Sequence, residues 1–394
     1  MRDFVNQKAK LLQPSGIRKF FDIVRETEGA ISLGVGEPDF VTPWKVRSAA
    51  ITSLQRGYTQ YTGNRGLPQL LELISKYLSQ RFSLEFDPKH ILITVGGSEA
   101  IDLALRACVE RGDEVLVPDP AYVSYSPLVF MSDGVAVPVE CKEEDDFVLK
   151  PENLEKAITP KTKAIILNSP NNPTGTMYTA EELKNIADFA IENDLLVVSD
   201  EIYEKLSYDK PHVSIASLSQ EIKSRTIVIN GVSKAYSMTG WRIGYAAADK
   251  KIIKKMSTMQ SHITSNACSI SQHAALSALV YGDQFTKDAK AIFSARRLLM
   301  LEFFKSLKDV TFPQPDGAFY MFLNVSNYYG TTYKGRKIDG SMTFADCLLD
   351  HGVAVIPGLP FGDDNSIGLS YAVSEKDILE GFIRIKDFLS QLSH

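Results

Sequence analysis

Cysteine is scarce in this chain. Four residues, Cys108, Cys141, Cys268 and Cys347, are scattered over 394 positions with no C-x-x-C pair. That spacing gives no reason to expect a metal site or a disulfide scaffold, and it fits reduced thiols in a cytoplasmic protein. No apolar run approaches the roughly 20 residues that cross a bilayer, so a membrane segment is not expected. The opening residues, Met1 to Gln13, hold no apolar stretch of the kind a secretory signal needs, and no added DNA-binding segment is expected before Pro14. Charge of one sign is not in excess: 43 Lys and Arg against 48 Asp and Glu leave −5. Nothing global therefore points to nucleic acid or an anionic membrane. Internal repeats, low-complexity tracts and long linkers are also missing. What is present is 44% hydrophobic and 23% charged, an ordinary globular balance with length for two domains and a large core.

Short apolar runs alternate with helical patterns. Ile91–Val95, Val115–Val117, Val135–Val139, Ala164–Leu167, Leu195–Val198, Thr226–Ile229 and Tyr245–Ala248 read as strands. Continuous apolar strands of this type belong to a parallel sheet covered on both faces, so the expected class is α/β with helices on a mostly parallel central sheet. Helices are expected from Ser15, from Thr42-Pro43 with the proline near the first turn, from Gly96 to about Val109, over Glu181–Ile191, beyond the Tyr245–Ala248 strand through to about Leu307, and over Glu375–Leu392. Further strand signals at Asp316–Phe322 and Val353–Gly358 suggest a smaller α+β lobe. The expected division is a large domain, 46–290, and a small domain built from 1–45 and 291–394.

Polar residues sit where the apolar runs stop. Lys234 follows Thr226–Ile229 by a few small residues, and a lysine at the mouth of a buried strand is costly to desolvate. Its amine is then easily deprotonated and can attack an aldehyde. Asp200 follows Leu195–Val198, and Asn172 follows Ala164–Leu167 within the turn Asn168-Ser169-Pro170-Asn171-Asn172-Pro173-Thr174-Gly175. Right-handed β-α-β connections bring these ends to one edge of one sheet. Gly96-Gly97-Ser98 joins a strand to a helix. Two readings stand there: an anion site made by backbone N–H groups, or a simple helix cap by Ser98. Gly34-x-Gly36 is not a dinucleotide fingerprint, because Asp39 holds the third glycine's place and Pro38 interrupts; a loop that approaches a ligand fits better. Tyr61 and Tyr122 lie in aromatic loops suited to a ligand edge or an interface, or to packing alone.

Three segments, Asn172-Pro173-Thr174-Gly175, Asp200-Glu201-Ile202-Tyr203 and Ser233-Lys234-x-x-x-Met238-x-Gly240-Trp241-Arg242-Ile243-Gly244, together resemble the class I/II pyridoxal-phosphate aminotransferases of fold type I. The chain is most similar to the bacterial aspartate, aromatic and N-acetyl-diaminopimelate aminotransferases. Ser15-Gly16-Ile17-Arg18 and Gly36-Glu37-Pro38-Asp39-Phe40 share the likeness, which runs from about Pro14 to Phe388. The resemblance implies pyridoxal 5′-phosphate as cofactor, with amino acid and 2-oxo acid substrates. Lys234 would bond the cofactor aldehyde and later move the substrate proton. Asp200 would pair with the ring nitrogen, and Asn172 and Tyr203 would reach the ring oxygen. Tyr122 would stack on the ring. Gly97, Ser98, Ser233 and Arg242 would hold the phosphate, joined by Tyr61 from a second subunit in a homodimer with shared sites. Gly36 would contact the substrate carboxylate through its backbone.

One position departs from the resemblance. Where such enzymes carry an arginine that grips the substrate carboxylate, this chain reads Ser366-Ile367-Gly368-Leu369-Ser370-Tyr371-Ala372. Removing one partner of a buried charge pair costs about 2–5 kcal/mol, or roughly 30- to several-thousand-fold in binding or turnover. Impaired transamination, substitution by Arg18 or Lys19, and a substrate without the usual carboxylate placement are the three explanations. Other chemistry of the same cofactor (C–S β-elimination, racemisation, decarboxylation) and a binding protein without turnover are the rival functions.

Overall fold

The computed structural model describes residues 2–12 and 29–393. The helix expected from Ser15, with Arg18 and Lys19, lies outside the described residues. After a short β1 (Ile31–Ser32) the chain lays down β2 (Ile91–Thr94), β3 (Glu114–Asp119), β4 (Val135–Glu140), β5 (Thr162–Asn168), β6 (Leu196–Asp200), β7 (Thr226–Gly231) and β8 (Gly244–Ala247). Among the described residues, β2 to β8 form one seven-stranded sheet in the order β2-β8-β7-β6-β5-β3-β4. Strands β3 to β7 run parallel to one another, while β8 is antiparallel to both β2 and β7.

Period-two burial assigns the side chains to two covered faces. Ile227 and Ile229 pack with Ile166, Val198 and Ala246 beneath Leu103 and Ala104 of the Gly96–Cys108 helix. Their neighbour Val228 faces the opposite way, onto Ile91, Ile93, Ala247 and the Pro68–Phe82 and Ser269–Tyr281 helices. On that same side Ile165, Leu167 and Val197 meet Ile186 and Ala190 of the Ala180–Glu192 helix. That helix starts in a capping box: Thr179 Oγ1 accepts from Glu182 N, and the Glu182 carboxylate accepts from Thr179 N.

A second sheet follows the long Asp283–Lys305 helix. The chain adds β9 (Tyr320–Asn324), a small hairpin of β10 (Thr332–Tyr333) and β11 (Arg336–Lys337), then β12 (Val353–Ala354), β13 (Ile356–Pro357) and β14 (Ser366–Ser370). Strand β14 lies antiparallel between β13 and β9, while β12 pairs in parallel with β1. The run expected as one strand over Val353–Gly358 is thus split, because its two halves pair with different partners. Pro43 is the N-cap residue of the Trp44–Gln55 helix, next to its first turn as expected. One other expectation shifts. The strand expected from Asp316 begins at Tyr320, because Gly317 and Ala318 (φ 57°) form the preceding turn.

One contact fixes where the Gly96–Cys108 helix begins. A Cβ on Gly244 would lie 2.5 Å from the backbone of Gly96 and Gly97. Backbone cannot yield as a flexible side chain can, so Gly244→Ala is expected to displace that helix start and lose about 1–3 kcal/mol or more. Urea unfolding measures it; a midpoint unchanged from the parent would show that the close approach is not needed.

Candidate active site

The C-terminal edge of the central sheet and the inner face of the second sheet enclose a cavity of about 680 Å³. Gly36, Gly97, Ser98, Tyr122, Asn172, Asp200, Tyr203, Ser233, Lys234, Arg242 and Gly368 all line it. Tyr61 does not; it is 86% exposed on the surface.

Lys234 follows β7 directly. Its Nζ donates to the Gly36 carbonyl at 2.7 Å. The residue keeps some solvent contact through the cavity, yet the protein packed around the amine lowers its pKa from 10.5 to about 8. Burial is the main cause, and Arg242 adds to it against the pull of Glu37 and Asp200. Asp200 ends β6. Its Oδ2 accepts from the Tyr125 hydroxyl at 2.8 Å and its Oδ1 from Ile202 N at 3.2 Å. Burial raises this carboxyl to about 6, and these two donors oppose the rise. Burial and the Asp200 charge push Tyr125 far above its usual range, which keeps it a proton donor to the carboxylate.

The ends of β5 and β6 are tied together. Asn168 Nδ2 donates to the Asp200 carbonyl at 3.0 Å, and Asn168 Oδ1 accepts from Asn172 N at 2.9 Å. A buried asparagine that uses both ends of its amide sets the turn carrying Asn172. Tyr203 and Tyr320 hydroxyls lie 2.8 Å apart, so the second sheet contributes a phenol beside the first. Tyr122 borders the cavity edge-on to Tyr125, with ring centroids 5.5 Å apart.

At the opposite end, the Gly96–Cys108 helix begins with Val95 at its N-cap and no side-chain cap. Ser98 therefore sits in the first turn, and the simple reading of it as the cap fails. Gly96 adopts φ +76°, and a Cβ there would collide with the Arg242 guanidinium. Arg242 itself is in the left-handed region at φ 56°, and its Nη1 donates to the Thr239 carbonyl at 2.9 Å. Glycine at 96 thus lets a cation approach the open N–H end of a helix, an arrangement suited to an anion.

Residues 36–42 are stitched to the loop that carries Lys234 and Arg242. Besides Lys234 and Gly36, Thr239 donates to the Glu37 carboxylate, Thr42 donates to the Ser237 carbonyl, and Trp241 Nε1 donates to Thr42 Oγ1 at 3.0 Å. Asp39 is held in turn by both terminal nitrogens of Arg296 at 2.8 Å. Local sequence pattern singles out neither Tyr320 nor Arg296, and it marks Tyr125 only as one of the aromatics that follow the Val115–Val117 strand, where ligand contacts gather. Tyr125 follows Tyr122 within one motif, and that spacing was the available signal; Tyr320 and Arg296 come from distant chain, where no local pattern marks them. Among the described residues no set of three His, Cys, Asp or Glu side chains converges as metal ligands would, and no helix is long and apolar enough to cross a membrane.

Comparison with known proteins agrees with this geometry. The family described as "Aminotransferase class I and II" matches residues 28–385. A putative aminotransferase of Bacillus subtilis (strain 168), YugH, is 42% identical, with 99% of each chain covered. An aspartate aminotransferase of Geobacillus stearothermophilus is 41% identical over 98% of this chain and 95% of its own length. Among solved structures, the aspartate aminotransferase from Rhizobium meliloti superimposes with a TM-score of 0.95 at 35% identity over the full length of both chains. The aspartate aminotransferase from Thermus thermophilus with maleate gives 0.92 at 36% identity, covering 98% of this chain and 100% of that one.

The Lys234 shift has a consequence for stability. Between pH about 8 and 10.5 the unfolded chain holds a proton on this amine that the folded chain has released, so the lysine's contribution to stability rises with pH over that window. Below about 8 both states are protonated and the charged amine's burial is fully unfavourable. In ligand-free protein, Lys234→Met should therefore be the more stable form at pH 7.5, and its advantage should shrink by up to roughly 3 kcal/mol by pH 10.5. Urea titrations of both proteins test this, and an equal gap at the two pH values would refute it.

Proposed function

The chain belongs to the class I and II aminotransferase family, and from that premise we propose how its own residues carry out transamination. It is an aminotransferase of the fold type I architecture. The proposed cofactor is pyridoxal 5′-phosphate, and the cavity's chemistry supports it. Arg242 against Gly96 at an uncapped helix start suits a phosphate, with Gly97, Ser98 and Ser233 beside it. A carboxylate kept company by a protonated phenol, Asp200 with Tyr125, suits a cationic ring nitrogen. The observation that carries the reading is Lys234: an amine with its pKa lowered to about 8, in the same cavity as Asp200 and Arg242.

When bound, the cofactor supplies an aldehyde for amino groups and a ring that accepts electrons. Lys234, about half neutral near pH 8, would be the residue that holds the cofactor through its aldehyde. The same amine would serve as general base and general acid for the proton on the substrate α-carbon. Asp200 would keep the ring nitrogen protonated. Asn172 and Tyr203 would hold the ring oxygen, with Tyr320 fixing the Tyr203 hydroxyl. Tyr122 would stack on the ring, and the Gly36 backbone would meet the substrate. The donor and acceptor use the same cavity in turn, a ping-pong order. Amino acids and 2-oxo acids are the substrates that the relatives' names suggest, and we propose that ordinary α-amino acids turn over poorly here because Gly368 offers no charge to their carboxylate.

We further propose a cytoplasmic homodimer with a large domain, 46–290, and a small domain, 1–45 with 291–394. Exposed Tyr61 is free to serve a second subunit's phosphate, and Trp44, Ile51, Leu54, Val280 and Tyr281 leave apolar surface on the Trp44–Gln55 and Ser269–Tyr281 helices.

Borohydride reduction of the yellow protein should attach the pyridoxyl group to Lys234 alone, as peptide mass mapping would report. Lys234→Ala should slow the amino-donor half-reaction by roughly 10²–10⁴-fold. A label at another lysine would end the proposal. Sedimentation should give twice the chain mass.

A further inference from the structure

Gly368 lies at the centre of β14, paired with Ile356 on one side and Phe322 on the other. A Cβ built there would find Phe361 Cε2 nearest at 3.6 Å, with Ile356 Cβ and the Ile356 carbonyl oxygen at 3.8 Å, all ordinary contact. No neighbour crowds the first atom of the side chain where the resemblance sets an arginine. The cavity therefore keeps a niche, and Ile356, Phe361 and Leu369 line it along with Gly368. Among the described residues the cations bordering the whole cavity are Lys234 and Arg242. Both are engaged, the first with the Gly36 carbonyl and the second with the Thr239 carbonyl beside Gly96. Glu37 and Asp200 add two carboxylates to the same cavity.

We propose that this niche receives an uncharged alkyl group in the place of a carboxylate, so that the substrates are primary amines on a secondary carbon and the matching ketones. The inference rests on the transaminase reading above. A carboxylate entering the niche would lose its water without gaining a cation from the described residues. An alkyl group loses only water that it binds weakly, and it fills the gap against Ile356 and Phe361. Because donor and acceptor share one cavity, the preference applies to both halves. The net reaction balances. The donor R₂CH–NH₂ loses its C–N bond, its α-proton and two electrons to become R₂C=O. The acceptor ketone gains the nitrogen, a proton and the two electrons to become the amine. The water consumed in the first half is released in the second.

The test compares L-leucine with 4-methylpentan-2-amine, in which a methyl replaces the carboxylate. Titrated into the yellow holoenzyme, the amine should half-saturate the change in visible spectrum at a concentration at least roughly tenfold lower than L-leucine. Gly368→Arg should reverse the order, improving L-leucine by roughly 30-fold or more. A readout independent of turnover is calorimetric binding of two unreactive mimics, 4-methylpentanoate and 4-methylpentanamide. The wild type should favour the neutral amide, and this holds the inference to account even where the arginine variant fails to fold. Equal or better response to L-leucine in the wild type overturns it. So does tight carboxylate binding that collapses in Arg18→Ala, since another cation would then do the work. A protein that traps no cofactor at Lys234 refutes the transaminase reading instead, while the mimics still decide the niche.

Discussion

Withdrawing an amine and a carboxylate from bulk water at one sheet edge is the constraint that the rest of this structure serves. Neither Lys234 nor Asp200 is neutralised by a direct ion pair with the other. Each is instead supplied with a neutral partner: the Gly36 carbonyl for the amine, and the Tyr125 hydroxyl with the Ile202 N–H for the acid. Burial pulls the two pKa values toward each other, to about 8 and about 6. An amine and an acid poised on either side of neutrality exchange protons with less bias than free lysine and aspartate would. The seven-stranded sheet is what holds them in that relation: β6 and β7 are adjacent and parallel, so Asp200, level with Ile229, and Lys234, just past the end of β7, leave the sheet at the same edge.

Much of that was legible before any coordinates. Strands such as Ile165–Leu167 and Ile227–Ile229 are apolar on both faces, and only a sheet covered on both sides explains them. Parallel strands joined by helices put Asn172, Asp200 and Lys234 at one edge without further information. The convergence of Arg242 on Gly96 was less accessible: it needs β8 to run antiparallel beside β2, a pairing that no local pattern specifies. Ser98 invited reading as a helix cap because serine caps helices often, but Gly96 at positive φ moved the helix start back. The roles of Tyr125 and Tyr320 depended on hydrogen bonds spanning 75 and 117 residues. Such long-range pairs are set by tertiary packing, which periodicity does not carry.

The two sheets divide the work unequally. The central sheet holds the groups that fit the cofactor, and its packing leaves little latitude: Gly244 against the Gly96 backbone allows no side chain at all. The second sheet brings β14, whose backbone pairing with β13 and β9 is intact at Gly368. A strand pairs through its main chain, so this position can change its side chain without losing register. Specificity can thus drift on a frame whose cofactor half stays fixed.

The ties between residues 36–42 and the Lys234–Arg242 loop bear on how the lysine works. Thr239 to Glu37, Thr42 to Ser237 and Trp241 to Thr42 do not involve the Lys234 amine, so none of them has to break for it to leave the Gly36 carbonyl. The side chain can therefore swivel between partners while the main chain on both sides stays put. A group that changes partners against a stationary surround meets little reorganisation cost at each exchange, which is the condition under which fixed dipoles are most effective.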